Sequence, residues 1–329
     1  MRTIVSRLAL LSVVAALLLL AQPASSQSDI TITDLGPVCE YCGPVDLNSQ
    51  GQVVGWDAPS SSVTVQFLWT PENGRKDLTD LGWQFYVYNN DRGQVVATSW
   101  IYPQALQPVL VEGDEESALG DLGGGYAIPH DINEVGHVVG ESSNSDHKLH
   151  AFLWTPQQGK MQDLGTLSGG NYARALAAND LGWVVGEAAT AVGQGEAVGY
   201  EMHAFLWTPQ QGMKDLGTLG GTSSIALGIN NLGQVVGNSS IATGESYAFL
   251  WTAEGGMRDL GSLGGNFTGA FDINELGHVV GWSNTSSGET HAFLWTPEGG
   301  MQDLGTFDGV KSAAICINDR DHIAGIRWL

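Results

Sequence analysis

The sequence predicts an all-β fold: a seven-bladed β-propeller of ~45-residue four-stranded repeats, closed by the N-terminal strand. Six full blades plus an irregular closing blade is the alternative. Three observations lead there. One unit recurs along most of the chain, its apolar runs are short and separated by turn signals at strand spacing, and 45 glycines leave little room for helices.

Two markers count the units. Asp-Leu-Gly begins at Asp34, Asp80, Asp121, Asp163, Asp215, Asp259 and Asp303, with successive spacings of 46, 41, 42, 52, 44 and 44. Such spacings are those of a propeller blade and exceed the period of about 33 or 34 residues of common helical repeats. Asn followed three residues later by Gly occurs at Asn48, Asn90, Asn133, Asn179, Asn230 and Asn274. Asn318 is the seventh instance, with Asp321 in place of the Gly. Asn at the first and Gly at the fourth turn position suit a type I β-turn, where the Asn side chain caps the local backbone.

The clearest unit shows how four strands arise. Ile132-Asn133 and His137 to Gly140 flank the turn as ends of the first and second strands. Ala151 to Trp154 forms the third, and Lys160 to Leu164 the fourth, after Pro-Gln-Gln-Gly. Such a sheet cannot bury both faces alone, so neighbours must stack, and Phe205 and Trp207 are expected to fill the layer between them. The chain opens with a lone fourth strand, Asp29 to Leu35, and ends with a first and second strand within Ala313 to Leu329. A ring joins these two ends, whereas a linear array would leave two open edges. The second unit is degenerate, with Pro108 to Val111 as its third strand, and the last unit lacks a full third strand of its own.

The N-terminus directs export. Arg2 and Arg7 precede the apolar run Leu8 to Ala21, and small residues follow at Ala24-Ser25-Ser26, the pattern of a secretory signal. Residues 1–26 are expected to be removed, leaving residues 27–329 as a single propeller domain that is secreted, extracellular or periplasmic. No later run has the length of a membrane span. Without Arg2 and Arg7 the chain carries 11 basic and 35 acidic residues, a formal charge of −24. That balance excludes nucleic acid and anionic membranes as partners, since phosphate binding draws on clustered Lys and Arg.

The heptad His-Ala-Phe-Leu-Trp-Thr-Pro occurs at His150 to Pro156, His203 to Pro209 and His291 to Pro297. Looser copies run from Gln66 to Pro71 and from Tyr247 to Thr252. Together with Met-Gln-Asp-Leu-Gly-Thr-Leu, these segments resemble the HAF-repeat family of bacterial extracellular proteins over nearly all of the mature chain. The resemblance implies a secreted repeat protein with no established activity and no catalytic residues to carry over. Gln66 and Tyr247 replace the heptad His, and Ala253 replaces the Pro, which argues against a functional role for that His.

Features present in every unit are expected to serve the fold. The Asp of Asp-Leu-Gly is read as an acceptor for the connector that follows it, and the heptad His as a hydrogen-bonding link between adjacent blades. Asp131-x-Asn133 and Asp272-x-Asn274 lack the further acidic ligands of a calcium shell. No nucleophile elbow, phosphate loop or zinc motif occurs, so no catalytic residue, metal or cofactor is assigned. Cys39, Cys42 and Cys316 are disulfide candidates, an odd number for an oxidising compartment.

Ligand-binding candidates come from places where the repeat breaks. Glu112, Asp114, Glu115 and Glu116 form an acidic loop in the second unit, and Glu196, Tyr200 and Glu201 lie in a long insertion in the fourth. Both groups are expected to flank one recognition face. Loops rich in Ser, Thr, Gly and Asn suit a glycan or an extracellular protein, bound by a monomer. The leading reading is therefore a secreted binding or interaction module. An extracellular hydrolase or lyase and a structural envelope or matrix component are the alternatives.

Overall fold

A computed structural model describes residues 14–20, 31–38, 43–60, 63–78, 83–101, 105–113, 115–168, 170–192 and 199–329. Every regular element among them is a β-strand, and no helix there is long and apolar enough to cross a membrane. The strands form antiparallel four-stranded units in chain order, and one parallel bridge, Tyr126 to Leu106, joins the second and third units into a single sheet. Sheets 1 to 6 cover residues 43–77, 83–118, 123–165, 173–215, 224–259 and 264–305. In sheet 3, Gly123–Ile132, Val138–Asn144, Leu149–Trp154 and Met161–Gly165 run up and down in sequence order, and the other sheets repeat this meander.

Sheet 7 combines the two ends of the chain. Its first and second strands are Lys311–Ile317 and His322–Trp328, its third is Val14–Leu20 and its fourth is Thr31–Val38. The sequence expectation is corrected in one respect. Residues 31–38 occupy the outer, fourth position, and Val14–Leu20 pairs directly with His322–Trp328, from Val14 opposite Trp328 to Leu20 opposite His322. The third strand missing from the last unit is thus supplied by residues within the segment 1–26 that the sequence expects to be removed, so a propeller of residues 27–329 alone would lack this strand. Antiparallel pairing on both sides satisfies its backbone.

The asparagine turns hold neighbouring sheets together. In each turn the Asn Oδ1 accepts two backbone N–H bonds of its own turn, as at Asn230 from Leu232 (3.1 Å) and Gln234 (3.0 Å). Its Nδ2 meanwhile donates to the backbone oxygen of the next Asn. The bonds run from Asn48 to Asn90, Asn133, Asn179, Asn230, Asn274 and Asn318, at 2.7 to 3.4 Å. Asn318 then donates to the oxygen of Asn48 at 2.8 Å, so the series returns on itself. The fourth turn residue has a φ of +73° to +84° in the Gly copies, a conformation that favours glycine, and Asp321 adopts +59° in the seventh.

Between the sheets lies the apolar layer. Phe67, Phe152, Phe205, Phe249 and Phe293 are at most 1% exposed. Phe205 and Trp207 pack against Val139, Ala151 and Leu153 of the preceding sheet, and Phe249 and Trp251 repeat the arrangement against Val185 and Leu206. A glycine in the second strand of six sheets, replaced by Ala97 in sheet 2, permits the strands to meet this closely. A Cβ on Gly186 would lie 2.0 Å from the backbone oxygen of Arg174.

Replacing Asn230 by Ala removes the bond to Asn274 and leaves two backbone N–H groups without their acceptor. A loss of about 2–4 kcal/mol is expected, because each buried polar group stranded in this way costs about 1–3 kcal/mol. Asn230→Asp retains the acceptor and loses the inter-sheet donor, so a smaller loss is expected. Urea unfolding of both variants measures the difference.

Candidate functional site

The asparagine turns place a second series of side chains around the axis. The residue after each Asn accepts from the backbone of the preceding sheet: Ser49 N donates to Asp91 (2.7 Å), Asp91 N to Glu134 (3.0 Å), and Glu134 N to Asp180 (3.1 Å). Asp180 N donates to Asn231 (2.8 Å), Asn231 N to Glu275 (2.8 Å) and Glu275 N to Asp319 (2.9 Å). These acidic side chains line a cavity of about 220 Å³. Below them, Asp46, Asp131 and Asp272 follow a bulge in the first strand of their sheets. Each accepts from the next sheet: Asp46 from Asn89 N, Asp131 from Ala178 N and Asp272 from Ile317 N, at 2.8 to 3.0 Å.

Among the described residues no group of three or more His, Cys, Asp or Glu side chains is arranged to hold a metal. Asp131 and Asp272 are taken up as staples between sheets.

Away from the asparagine turns, the junction of sheets 3 and 4 carries a cluster that breaks the repeat. The position after the second-strand glycine is Trp56, Asn238, Trp282 or Ile326 in sheets 1, 5, 6 and 7, but Glu141 and Glu187 in sheets 3 and 4. Tyr126 and Tyr172 donate their hydroxyls to the two oxygens of Glu141 at 3.2 and 3.3 Å. Arg174, opposite Glu187 in the strand register, donates from Nε to Glu187 Oε1 at 2.8 Å. Burial pushes the Glu187 carboxyl up against the pull of Arg174, with Glu141 adding to the rise. Burial, then Glu141, raises the Tyr172 hydroxyl. His130 is pushed down to about 3 by burial and the Arg174 charge, and is therefore neutral. The Arg174 side chain stays 34% exposed, and its Nη groups make no hydrogen bond or ion pair among the described residues. The cluster thus combines a partly free guanidinium fork with two carboxylates and two phenols.

The junction of sheets 6 and 7 has the opposite chemistry. There Phe271, Trp282, Ile326 and Trp328, with Lys311 and Thr290, line a cleft of about 320 Å³.

The ligand-binding residues expected from sequence do not come together. Glu112 and Glu115 pair across the turn between the third and fourth strands of sheet 2, Glu115 and Glu116 are exposed, and Gln94 Nε2 donates to Glu112 at 3.3 Å. Tyr200 and Glu201 lie at the start of the third strand of sheet 4, with Tyr200 52% exposed and Glu201 3.6 Å from His203. An up-and-down meander puts the third-to-fourth turn at the same end as the asparagine turns and the second-to-third turn at the other end. The two groups therefore sit at opposite ends and cannot flank one face. Asp114 and Glu196 lie outside the described residues.

The heptad histidines also depart from expectation. His150, His203 and His291 bond through Nδ1 to Asp163, Asp215 and Asp303 at 2.8 to 2.9 Å, linking third and fourth strands of one sheet instead of adjacent sheets. Each Asp also accepts from the Gly two residues on, at 2.7 Å, as the connector reading expects. Cys316 is a buried free thiol, raised well above the ordinary value by burial, and Cys39 and Cys42 lie outside the described residues.

The axial carboxylates give stability a pH dependence. Burial pushes Asp46 up to about 6 and Asp272 up to about 7, each opposed by its backbone hydrogen bonds, and pushes Asp131 well above the ordinary range. These groups hold a proton more tightly folded than unfolded. Their contribution is fully present below the ordinary value of 3.8 and is lost as pH rises through about 6 to 7. The Tm is therefore expected to fall between about pH 4 and pH 8. Asp46→Asn and Asp272→Asn, which keep an acceptor for the backbone N–H, should flatten that profile in thermal melts.

No protein-family model matches the chain, and no curated protein matches it. Among solved structures it is similar to the Pyrococcus horikoshii acylaminoacyl peptidase, with a TM-score of 0.56 and 10% identity over 85% of this chain and 48% of that one. It is also similar to TolB from Acinetobacter baumannii, with a TM-score of 0.49 and 11% identity over 75% of this chain and 62% of that one. A third likeness is the Aleuria aurantia lectin, described as a six-bladed β-propeller, with a TM-score of 0.39 and 11% identity over 86% of this chain and 85% of the lectin. The chain spans about half the length of the peptidase and about three fifths of TolB. At these identities the likeness is one of fold alone.

Proposed function

We propose that this chain is an exported, closed seven-bladed propeller that binds carbohydrate at the junction of sheets 3 and 4. The N-terminal basic and apolar pattern supports export, and the return of the asparagine series from Asn318 to Asn48, which does not use the Val14–Leu20 strand that leader removal would take away, supports closure. The resemblance to HAF-repeat proteins agrees with export.

One observation carries the ligand class: Arg174, Glu141, Glu187 and two tyrosines converge where the other junctions hold different side chains. A sugar diol offers hydroxyls that donate and accept together. A guanidinium supplies only donors and a carboxylate only acceptors, so an Arg–Glu arrangement matches both halves of each hydroxyl. Neutral His130 at the base leaves the net charge of the cluster near −1, which disfavours an anionic ligand.

Glycan arrays probed with purified protein identify the sugar, and calorimetry measures the site. Arg174→Ala is expected to weaken binding by about 10- to 100-fold, since a hydrogen bond to a charged group contributes about 1.5–3 kcal/mol. Tyr172→Phe should cost a few-fold. Retention of no glycan, or affinity unchanged in Arg174→Ala and Glu141→Gln, would overturn the assignment.

A hydrolase or lyase is the second reading, favoured by two carboxylates, Glu141 and Glu187, at one junction. It requires turnover of the bound glycan that disappears in both Glu141→Gln and Glu187→Gln. Intact glycan after long incubation would reject it.

A further inference from the structure

The side-chain cluster at the 3/4 junction and the cleft at the 6/7 junction occupy the same place in the repeat. Trp282 takes the position of Glu141, and Lys311 that of Tyr172. Ala313 and Ile326, opposite each other in register, take those of Arg174 and Glu187, and Phe271 takes that of His130. One backbone frame thus presents a hydrogen-bonding cluster at one junction and an aromatic cleft at another.

We infer that the aromatic cleft is a second carbohydrate site, one that holds a single pyranose ring by stacking. This rests on the carbohydrate reading of the 3/4 junction and adds a second, chemically different subsite. The cleft is about 320 Å³, at the small end of ligand pockets and suited to one ring rather than a peptide segment. Its walls are Trp282, Trp328 and Phe271. The C–H bonds on a pyranose face carry slight positive charge and meet the negative face of an indole. A purely apolar occupant would leave the polar groups of the rim unused. Lys311 Nζ sits 4.5 Å from the Trp328 ring centroid, and the Thr290 hydroxyl donates to Asn284 Oδ1 at 3.1 Å. Together they place a cation, a hydroxyl and an amide where ring hydroxyls would project. The cation–π contact also keeps the Lys311 ammonium beside the ring it would share with the sugar.

Isothermal calorimetry on the full chain with methyl glycosides of glucose, galactose, mannose and fucose tests the inference through stoichiometry. Two sites per chain are expected for at least one glycoside. Trp282→Ala should leave one site, Trp282→Phe should keep two with the second weakened several-fold, and Arg174→Ala should leave the Trp282-dependent one. Circular dichroism and the melting temperature identify any variant that fails to fold, and Lys311→Ala, at an exposed side chain, then serves as the second probe. A single site that is lost in Arg174→Ala and indifferent to Trp282→Phe and Lys311→Ala would overturn the second site while leaving the first intact. A single site lost only on changing Trp282 would support this inference and remove the first. No binding of any glycoside, with the apolar dye anilinonaphthalene sulfonate displaced from the cleft by Trp282→Ala, would overturn both the stacking site and the carbohydrate reading.

Discussion

The side-chain amide of one asparagine in every unit has two tasks at once. Its oxygen holds its own turn in shape, and its nitrogen bonds the turn of the next sheet. Local folding of a hairpin and its docking to a neighbour therefore use the same residue, and neither end of the amide is left unsatisfied in a buried place. The first strands are brought to the axis by this series, and all else in the molecule is placed relative to it. The Phe and Trp of each third strand can only meet the preceding sheet because the turns have set the sheets side by side. Aspartates at the bulges add a second set of inter-sheet bonds below the turns at some junctions, such as Asp131 to Ala178 N.

That frame is nearly symmetric, so chemistry particular to one junction has to come from departures at positions the frame repeats. The residue after the second-strand glycine is such a position. It projects toward the start of the next sheet, and the positions that surround it recur from junction to junction. Changing it from Asn238 to Glu141 or Trp282 changes the chemistry of a cleft without disturbing the layers that support it. The position is half-buried, between core and solvent, and so tolerates charge in one copy and indole in another. The carbohydrate reading depends on this separation between an invariant scaffold and variable junctions.

The charge of the chain has a structural expression as well. Acidic side chains gather around the axis at the asparagine-turn end, where backbone N–H groups of preceding turns satisfy one oxygen each. Burial raises Glu134 to about 7 and moves Glu275 upward too. The cost of crowding these carboxylates is thereby lowered by proton uptake, which links the acidic composition to the expected stability at mildly acidic pH.

Much of the architecture was legible because it is written locally. The Asn and Gly of the repeated turn specify a hairpin, the spacing of Asp-Leu-Gly specifies a four-stranded unit, and the Phe-Leu-Trp repeated in five third strands marks the apolar layer between sheets. The donors of the asparagine amides, the third strand of sheet 7 and the recognition clefts were not legible in the same way, since each depends on which segments become neighbours. Glu112 and Glu201 stand out in sequence because their loops are irregular, yet the alternation of a meander sends those loops to opposite ends. Glu141, Tyr172, Arg174 and Glu187 look unexceptional in sequence, the signal being only that a repeated position has changed its chemical type. Hydrophobic period and turn residues act over a few residues and so determined strands, units and their order. Which side chains share a cleft is decided across a sheet junction, between residues about 30 to 50 apart, by the packing of one sheet on the next.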